Sequence, residues 1–325
     1  MKKKNLKIKA LAIALSALLL LTLCGCQKAD KNEFVVGICQ LAPHVALDAA
    51  TKGFEDALTE ELAKEGKTVK FEFVNAQGDT NICTTTMTNF VSKKVDLIMA
   101  NATAALQAAN AATLDIPVLG TSVSAYGVAL GIENFNGTVG GNISGTSDLA
   151  PLETQVEMML ELVPNAKHIG LLYCSAEANS QYQVDVVSGI LEKKGVAFDK
   201  FPFSDSNDLQ SVTMQAAAVC DLIYVPTDNT VASNTAVIDN VCLEKGVPVF
   251  AGEEGICSGC GFATLSISYY SLGQKTGKMA ADILLGRKNI SEMPIEFDES
   301  PVKKYDKARC EKLGITVPED YVAIG

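Results

Sequence analysis

The sequence predicts an α/β protein with two similar lobes, each built on a doubly wound parallel sheet, joined by a hinge. Three observations predict it: strand patterns alternate with helix patterns, this succession occurs twice, and 325 residues with 48% hydrophobic content suffice for a large core. Strands that alternate with helices form parallel βαβ units, in which helices cover both faces of the sheet.

The first succession occupies residues 34–120. From Leu47 to about Glu65, apolar residues recur at the spacing of an amphipathic helix, which Gly66 ends. Short apolar runs on either side of it predict strands. In chain order, we expect strands at Phe34–Cys39, Val69–Val74, Asp96–Ala100 and Ile116–Gly120, and further helices at Thr84–Ser92 and Ala104–Ala112.

The same succession then returns at a nearly constant distance along the chain. Gly37, Asp96 and Pro117 have counterparts at Gly170, Asp221 and Pro248, which follow them by 133, 125 and 131 residues. The second series of elements comprises strands at His168–Cys174, Val196–Phe203, Asp221–Ile223 and Val247–Val249 and a helix at Gln181–Lys194. Offsets this similar indicate two related lobes in series.

The joint between the lobes falls at residues 137–151, which are rich in Gly, Ser, Thr and Asn. A helix at Leu152–Val163 opens the second lobe, and a strand at Ala263–Ser268 precedes a helix at Tyr269–Leu285. We therefore assign residues 34–148 with about 266–290 to an N-terminal lobe and residues 149–265 with about 291–325 to a C-terminal lobe.

The N-terminus is typical of an exported protein. Five lysines lie within residues 1–9, and Ala10–Leu23 carries no charge, which indicates a signal peptide too short to be a stable membrane span. Leu23-Cys24-Gly25-Cys26 resembles a bacterial lipobox, so we expect residues 1–25 to be removed, Cys26 to be lipidated and residues 26–33 to form a tether. The lipid would hold the protein on the extracytoplasmic face of the cell membrane. The alternative is an ordinary signal peptide with incidental cysteines.

Charge and motifs exclude several classes of function. The formal charge is -11, and it falls to -16 without residues 1–25, so no basic surface is available for nucleic acid. The sequence has no dinucleotide fingerprint, phosphate loop or nucleophile elbow. Histidine occurs only at positions 44 and 168 and arginine only at 287 and 309, which is a thin supply for acid–base or phosphoryl chemistry. We expect no enzymatic activity and no cofactor.

Eight cysteines remain beyond Cys26, and several lie within apolar runs, which favours buried free thiols. Cys257 and Cys260 have CxxC spacing, so a local disulfide and a zinc site stay open as alternatives. No second CxxC supports zinc, and we predict no metal.

Polar loops follow six of the apolar strands. Ligands of open α/β sheets bind at the carboxyl ends of the strands, against the free N–H groups of helix starts. Two lobes whose loops face each other would form a cleft that closes on a small polar molecule. The candidate binding residues are Gln40, His44, Ala102, Thr103, Thr121, Ser122, Asp148, Glu177, Asn179, Ser180, Thr227, Asp228, Asn229 and Glu253. Several of them are also good helix N-caps, so the prediction depends on all six loops being polar together.

Several segments make the chain recognisable. They are His44–Asp48, Asn75–Asp79, Gly141–Asp148, Glu177–Ser180, Pro226–Ser233 and Tyr269–Ala280, of which Thr-Asp-Asn-Thr-Val at 227–231 is the most specific. Over residues 34–318 the sequence resembles the substrate-binding lipoproteins of ABC transporters of the tryptophan/tyrosine type. Val45 departs from the proline that often follows this histidine, and the cysteine content is atypical.

The resemblance implies the type I periplasmic-binding-protein fold and the capture of a small molecule, for which we expect an amino acid, first of all an aromatic one. Delivery to a permease with a cytoplasmic ATPase would follow, with the binding protein acting as a monomer. A lipid-anchored sensor of the same fold, or a site for a nucleoside or sugar, remains the alternative.

For an amino acid, the residues suggest a division of roles. Both arginines lie far from the strand-end loops, so helix N-termini and the hydroxyls of Thr103, Thr121 and Ser180 would hold the ligand carboxylate. Asp228 is the first candidate for the ammonium group, followed by Glu177 and Glu253. Aromatic walls could come from Tyr126, Tyr182, Tyr224 or Phe250.

Overall fold

The computed structural model describes residues 31–298 and 300–324. The predicted signal peptide, Cys26 and most of the tether lie outside these residues. In the part of the chain that is described, no helix combines the length and the apolar character that a membrane span requires.

The strands and helices alternate along the chain. The strands are β1 (Glu33–Gln40), β2 (Thr68–Asn75), β3 (Leu97–Asn101), β4 (Val118–Thr121), β5 (Ile143–Ser147), β6 (His168–Cys174), β7 (Ala197–Phe203), β8 (Leu222–Val225), β9 (Val249–Ala251), β10 (Ala263–Ser266), β11 (Glu296–Phe297), β12 (Val302–Tyr305) and β13 (Val322–Ala323). The helices are α1 (Val45–Ala63), α2 (Thr80–Lys93), α3 (Thr103–Ala112), α4 (Tyr126–Leu130), α5 (Leu152–Leu162), α6 (Ala178–Lys194), α7 (Ser206–Val219), α8 (Asn229–Ala232), α9 (Thr235–Lys245), α10 (Glu254–Cys260), α11 (Tyr269–Leu284) and α12 (Lys307–Leu313), with a 3-10 helix at Ile290–Glu292.

The strands form two sheets, which confirms the predicted fold class. A six-stranded sheet has the order β11-β5-β4-β3-β1-β2, and a seven-stranded sheet has the order β13-β12-β10-β9-β8-β6-β7. The pairs β1–β3, β3–β4, β4–β5 and β6–β8 are parallel, and β10–β12 is antiparallel. We call the six-stranded sheet with α1–α4 and α11 the N-lobe, and the seven-stranded sheet with α5–α10 and α12 the C-lobe.

The strand registers repeat between the lobes as the sequence offsets predict. Gly37 of β1 lies beside Ile98 of β3, and Gly170 of β6 lies beside Ile223 of β8. At the amino ends of the strands, Asp96 accepts a hydrogen bond from the Val35 N–H (2.6 Å), and Asp221 accepts one from the His168 N–H (3.0 Å). Asp96 in the N-lobe and Asp221 in the C-lobe therefore make equivalent hydrogen bonds to the starts of β1 and β6.

Three segments connect the two sheets. They are residues 148–151 after β5, residues 267–268 after β10 and residues 298–301 after β11, with Glu299 outside the described set. Because α11 packs on α1, it returns the chain to the N-lobe. We assigned residues 291–325 to the C-terminal lobe, but β11 pairs with β5 in the six-stranded sheet.

The strand β5 replaces part of the predicted joint. Its sequence, Ile-Ser-Gly-Thr-Ser, has few apolar residues, yet all five residues are buried. Hydroxyl hydrogen bonds compensate for the polar side chains: Thr146 bonds to Thr121 and Thr276, and Ser144 donates to the carbonyl of Met293. Gly145, at φ 148°, is so close to the neighbouring strand that a Cβ would lie 2.0 Å from the Gly120 carbonyl oxygen.

All eight cysteines in the described residues are buried and free. Cys257 and Cys260 lie one turn apart in α10, and the Cys260 thiol donates to the Ile256 carbonyl (3.4 Å). No group of three or more potential metal ligands occurs among the described residues. The burial of these eight cysteines agrees with the apolar runs in which several of them lie.

Candidate functional site

The carboxyl ends of the strands in both sheets face each other around a small chamber, of about 260 Å³ including its opening to solvent. The N-lobe, the first connecting segment and the start of α11 supply one side, and the loops after β8 and β9 supply the other. The lining residues are His44, Leu47, Ser122, Asp148, Asn179, Thr227, Asp228, Asn229, Ala232, Glu253 and Tyr269. We refer to this space as the inner chamber.

Asp228 lies at the C-lobe side of the chamber and is 1% exposed. Its Oδ2 accepts from the Cys174 N–H (2.7 Å), and its Oδ1 caps α8 by accepting from the Val231 N–H (2.9 Å). Burial, with a smaller contribution from the charge of Glu177, raises the pKa of Asp228 to about 8.

Glu253 is the second acidic residue of the chamber. Its two carboxylate oxygens accept from the N–H groups of Gly255 and Ile256, at the start of α10. Burial raises the pKa of Glu253 to about 7, although these hydrogen bonds act in the opposite direction.

Asp148 is the third acidic residue, and it lies on the first connecting segment. Its Oδ1 accepts from the Ser124 hydroxyl (2.8 Å), and its Oδ2 accepts from the Tyr269 hydroxyl (2.9 Å). Burial raises the pKa of this carboxyl as well.

The described residues that line the chamber include no lysine and no arginine. The imidazole of His44 is also there, but burial lowers its pKa and so favours the neutral ring. Three carboxyl groups therefore share a buried space without a matching cation. Such a site attracts a positively charged group of a ligand, since the partner would offset the cost of keeping the carboxylates ionised away from water.

Ser122 supplies a hydroxyl group, which can donate a hydrogen bond to a negatively charged group of a ligand. Its hydroxyl oxygen is buried and has no hydrogen-bond partner among the described residues. Its backbone is in the left-handed region, at φ 56°, which is uncommon for a residue other than glycine. A strained backbone next to an unpaired buried hydroxyl is typical of a residue held in place for a ligand.

A second, larger space lies beside the chamber. This outer crevice, of about 1150 Å³ including its opening to solvent, runs between residues 41–43 and 103–107 of the N-lobe and residues 174–179 and 204–206 of the C-lobe. Asn179 and Asn229 line both spaces. The Thr103 hydroxyl, at the start of α3, lines the crevice, and it is buried with no partner among the described residues.

Side chains of the two lobes touch directly across the cleft. His44 Nε2 lies 3.2 Å from Asn229 Oδ1, and the Ser124 hydroxyl lies 3.1 Å from the Thr227 hydroxyl. Gln183 Nε2 donates to the same Ser124 hydroxyl (3.1 Å). The lobes are therefore closed on each other.

The structure gathers most of the predicted residues around these two spaces. The inner chamber is lined by His44, Ser122, Asp148, Asn179, Thr227, Asp228, Asn229 and Glu253, and the outer crevice by Thr103 and Glu177 as well as Asn179 and Asn229. The carboxylate of Glu177 accepts from the N–H groups of Asn229 and Thr230, so it caps the start of α8.

Four predicted residues line neither space. Gln40 is fully buried and bonds to Thr51 and Asp48, under α1. Thr121 bonds to Thr146, within the N-lobe core. The remaining two are Ala102, which is fully buried, and Ser180, whose side chain hydrogen-bonds to Asp228. These residues lie at or after strand ends as predicted, but none of them is among the lining residues of the chamber.

Three lining residues, Leu47, Ala232 and Tyr269, are absent from the sequence prediction. None of the four predicted aromatic walls lines the chamber. Tyr224 and Phe250 pack in the C-lobe core, the Tyr126 hydroxyl donates to the Thr146 carbonyl, and Tyr182 lines a groove elsewhere. Tyr269 could have been predicted from its position directly after the strand expected at 263–268, because the chain reaches the cleft at the end of that strand as well.

Comparisons with known proteins agree on one family. Residues 35–324 match the family described as ABC transporter substrate binding proteins. A "Tyrosine-binding protein" of Clostridioides difficile (strain R20291) is 35% identical over 313 residues, which are 92% of this chain and 90% of that protein.

Two solved structures are informative about the state of the cleft. An ABC domain from Streptococcus pneumonia in complex with L-Trp has a TM-score of 0.83 at 32% identity, covering 88% of this chain and 96% of its own. A ligand-free, open substrate binding protein with adhesive properties from Clostridium difficile has a TM-score of 0.68 at 34% identity, covering 90% and 99%. At almost equal identity, the structure described here is more similar overall to the L-Trp complex than to the ligand-free, open protein.

Proposed function

This chain belongs to the ABC transporter substrate binding proteins, which are not enzymes, and we propose that it captures an aromatic amino acid, L-tyrosine or L-tryptophan, in the inner chamber. The observation that carries the proposal is the group of three buried carboxyls without a cation, beside the unpaired hydroxyl of Ser122. The relatives that bind tyrosine and L-Trp support the aromatic side chain.

An amino acid zwitterion complements both kinds of group. Its ammonium would lie among Asp148, Asp228 and Glu253, where it supplies the missing positive charge. Its carboxylate would accept from Ser122 and from a neighbouring N–H group, since neither arginine lines the chamber. The outer crevice adjoins the chamber and leaves room for a side chain.

A set of ligand analogues tests this assignment. By calorimetry on residues 27–325, L-tyrosine and L-tryptophan are expected to bind, and 3-(4-hydroxyphenyl)propionate, which lacks the ammonium group, should bind at least about tenfold more weakly, or ~1.4 kcal/mol. Tyramine keeps the ammonium group but lacks the carboxylate, so its affinity relative to that of L-tyrosine measures the contribution of the carboxylate. Binding of a nucleoside or a sugar in place of both amino acids would contradict the proposal.

A charge-removing variant identifies the acidic partner. Asparagine caps a helix as well as aspartate does, so Asp228→Asn keeps the start of α8 and removes the charge. We expect L-tyrosine affinity to fall at least about tenfold. The matched control is Asp79→Asn, at the exposed N-cap of α2, which should leave the affinity unchanged. Equal affinities in both variants would remove Asp228 from the site.

We further propose that the protein is a lipoprotein, anchored through Cys26 on the extracytoplasmic face, which delivers its ligand to an ABC permease and its ATPase as the substrate-binding part of an importer. The N-terminal sequence supports the anchor, and the family supports the partner. Detergent phase partitioning of cells that express the full chain tests the anchor. The wild type should enter the detergent phase and Cys26→Ser should not, whereas equal partitioning would contradict lipidation.

A further inference from the structure

Ser124 is the centre of a buried cluster of hydrogen bonds between the lobes. It follows β4 in the N-lobe, and its hydroxyl lies 3.1 Å from the hydroxyl of Thr227 and 3.1 Å from Nε2 of Gln183, both in the C-lobe. Gln183 Nε2 also donates to the Thr227 hydroxyl. All three side chains are more than nine-tenths buried. We call these three residues the interlobe latch.

The direction of the hydrogen bonds follows from the partners. The Ser124 hydroxyl donates its proton to Asp148 (2.8 Å), so the Thr227 hydroxyl must donate to Ser124. Gln183 donates to both hydroxyls through its amide. Every bond therefore points towards the carboxylate of Asp148, and such a chain is stronger when its final acceptor is charged.

Asp148 connects the latch to the ligand chamber and to the hinge. It lines the inner chamber, it lies on the first connecting segment, and its second oxygen accepts from Tyr269, which follows the second connecting segment. A ligand ammonium near Asp148 favours the ionised carboxylate and so strengthens the bonds of the latch. Ser124 and Gln183 do not line the chamber, so they can act on the ligand only through the closed state.

We propose that Ser124 and Gln183 are positioning residues that hold the lobes closed over the ligand and that the ligand charge strengthens this latch through Asp148. This inference rests on the proposed function, because it takes an amino acid as the ligand. The ligand enters while the lobes are apart and the latch is broken, and it leaves only after the closed latch has opened. The latch therefore controls the dissociation rate rather than the association rate.

Rapid kinetics with L-tyrosine on residues 27–325 test the latch. Both sheets lie within this segment, so its use removes no described strand or helix. Ser124→Ala should raise the dissociation rate about tenfold, as expected for the loss of two or three buried hydrogen bonds, and leave the association rate within about twofold. Ser124→Thr keeps the hydroxyl and should restore slow dissociation. Equal changes in both rates, or an unchanged dissociation rate, would overturn the proposal.

The matched control is Ser144→Ala. Ser144 is also a buried serine of the N-lobe, but its hydroxyl donates to the Met293 carbonyl within the same lobe. This variant should lower the melting temperature and leave the dissociation rate unchanged, which separates lost stability from a lost latch.

A ligand-independent measurement separates the two proposals. If wild-type protein binds neither L-tyrosine nor L-tryptophan, the proposed function fails, and small-angle scattering of the ligand-free protein then tests the latch alone. Ser124→Ala should have a larger radius of gyration than Ser144→Ala, because its lobes separate more often. Identical scattering of the two variants would overturn the latch.

Discussion

Asp228 and Glu253 each cap a short helix and line the inner chamber at the same time. From the sequence, capping and ligand binding were alternatives for Asp228, but the geometry allows both. A carboxylate oxygen has two lone pairs, so one N–H group per oxygen leaves capacity for a ligand. Residue type and position after a strand predicted the location of these side chains, whereas their remaining hydrogen-bonding capacity required the structure.

The sequence predicted Ser122 from its position after a strand, but it did not predict the two properties that distinguish this residue in the structure. Ser122 is distinguished by a left-handed backbone and an unpaired hydroxyl, and neither property has a signature in a single sequence. Gln40 and Thr121 occupy equally suitable positions after strands, but buried partners engage them. The side of the strand end to which a side chain points decides between the two outcomes.

The buried carboxyls predict a pH-dependent stability of the ligand-free protein. The folded state raises the pKa of Asp228 to about 8 and that of Glu253 to about 7, both above their ordinary values near 4. At a pH between the ordinary pKa and the raised pKa of each group, the carboxyl is ionised in the unfolded chain and still protonated in the folded protein. The free energy of unfolding therefore falls as the pH rises from about 4 to about 8 through these two groups.

Urea unfolding at pH 5, 6, 7 and 8 measures this dependence. The double variant Asp228→Asn/Glu253→Gln should show a shallower fall than the wild type, and Asp79→Asn should match the wild type. A saturating cationic ligand should also flatten the fall, because it stabilises the ionised carboxylates. The same slope in the double variant and the wild type would contradict the assigned pKa values.

At the scale of elements, duplication made the two sheets predictable. Strands flanked by Asp96 and Pro117 in the N-lobe and by Asp221 and Pro248 in the C-lobe contain apolar residues, and parallel strands buried on both faces have this pattern. The strand β5 was missed because its sequence has few apolar residues. Hydroxyl hydrogen bonds of Thr146 compensate for the burial of polar side chains there. The helices α7 and α9, at residues 206–219 and 235–245, were not predicted.

The packing of α1 against α11 yields a stability prediction. A Cβ at Gly273 would lie 2.0 Å from the Ala50 carbonyl oxygen, in the backbone of the facing helix. Gly273→Ala should therefore force the helices apart and lower the free energy of unfolding by about 1–3 kcal/mol.

Gly189→Ala is the matched control for this prediction. Gly189 lies inside α6, and a Cβ there has no neighbour within 4 Å among the described residues. Alanine favours the helix over glycine, so this variant should be more stable than the wild type by up to about 1 kcal/mol. Chemical denaturation of both variants should give effects of opposite sign, and a neutral Gly273→Ala would contradict the close contact.

At the scale of the whole molecule, three connecting segments and a closed cleft predict a change of shape with ligand. The structure is more similar overall to the L-Trp complex than to the ligand-free, open relative. Small-angle scattering should give a smaller radius of gyration with saturating L-tyrosine than without it. Because Asp228→Asn is expected to weaken binding, this variant should need a correspondingly higher L-tyrosine concentration to reach the same radius of gyration. A profile that L-tyrosine leaves unchanged while it binds would contradict closure.

The position of α11 in the chain also determines when the N-lobe can be finished. This helix and β11 come from residues 269–297, whereas α1, on which α11 packs, comes from residues 45–63. During synthesis, the surface of α1 that α11 covers stays exposed until residues 269–284 have left the ribosome. Residues 149–266, most of the C-lobe, emerge in the meantime as one continuous stretch. The N-lobe is thus completed by elements that follow most of the C-lobe in the chain, and a nascent chain that stops before residue 284 displays an unfinished surface to any chaperone it meets.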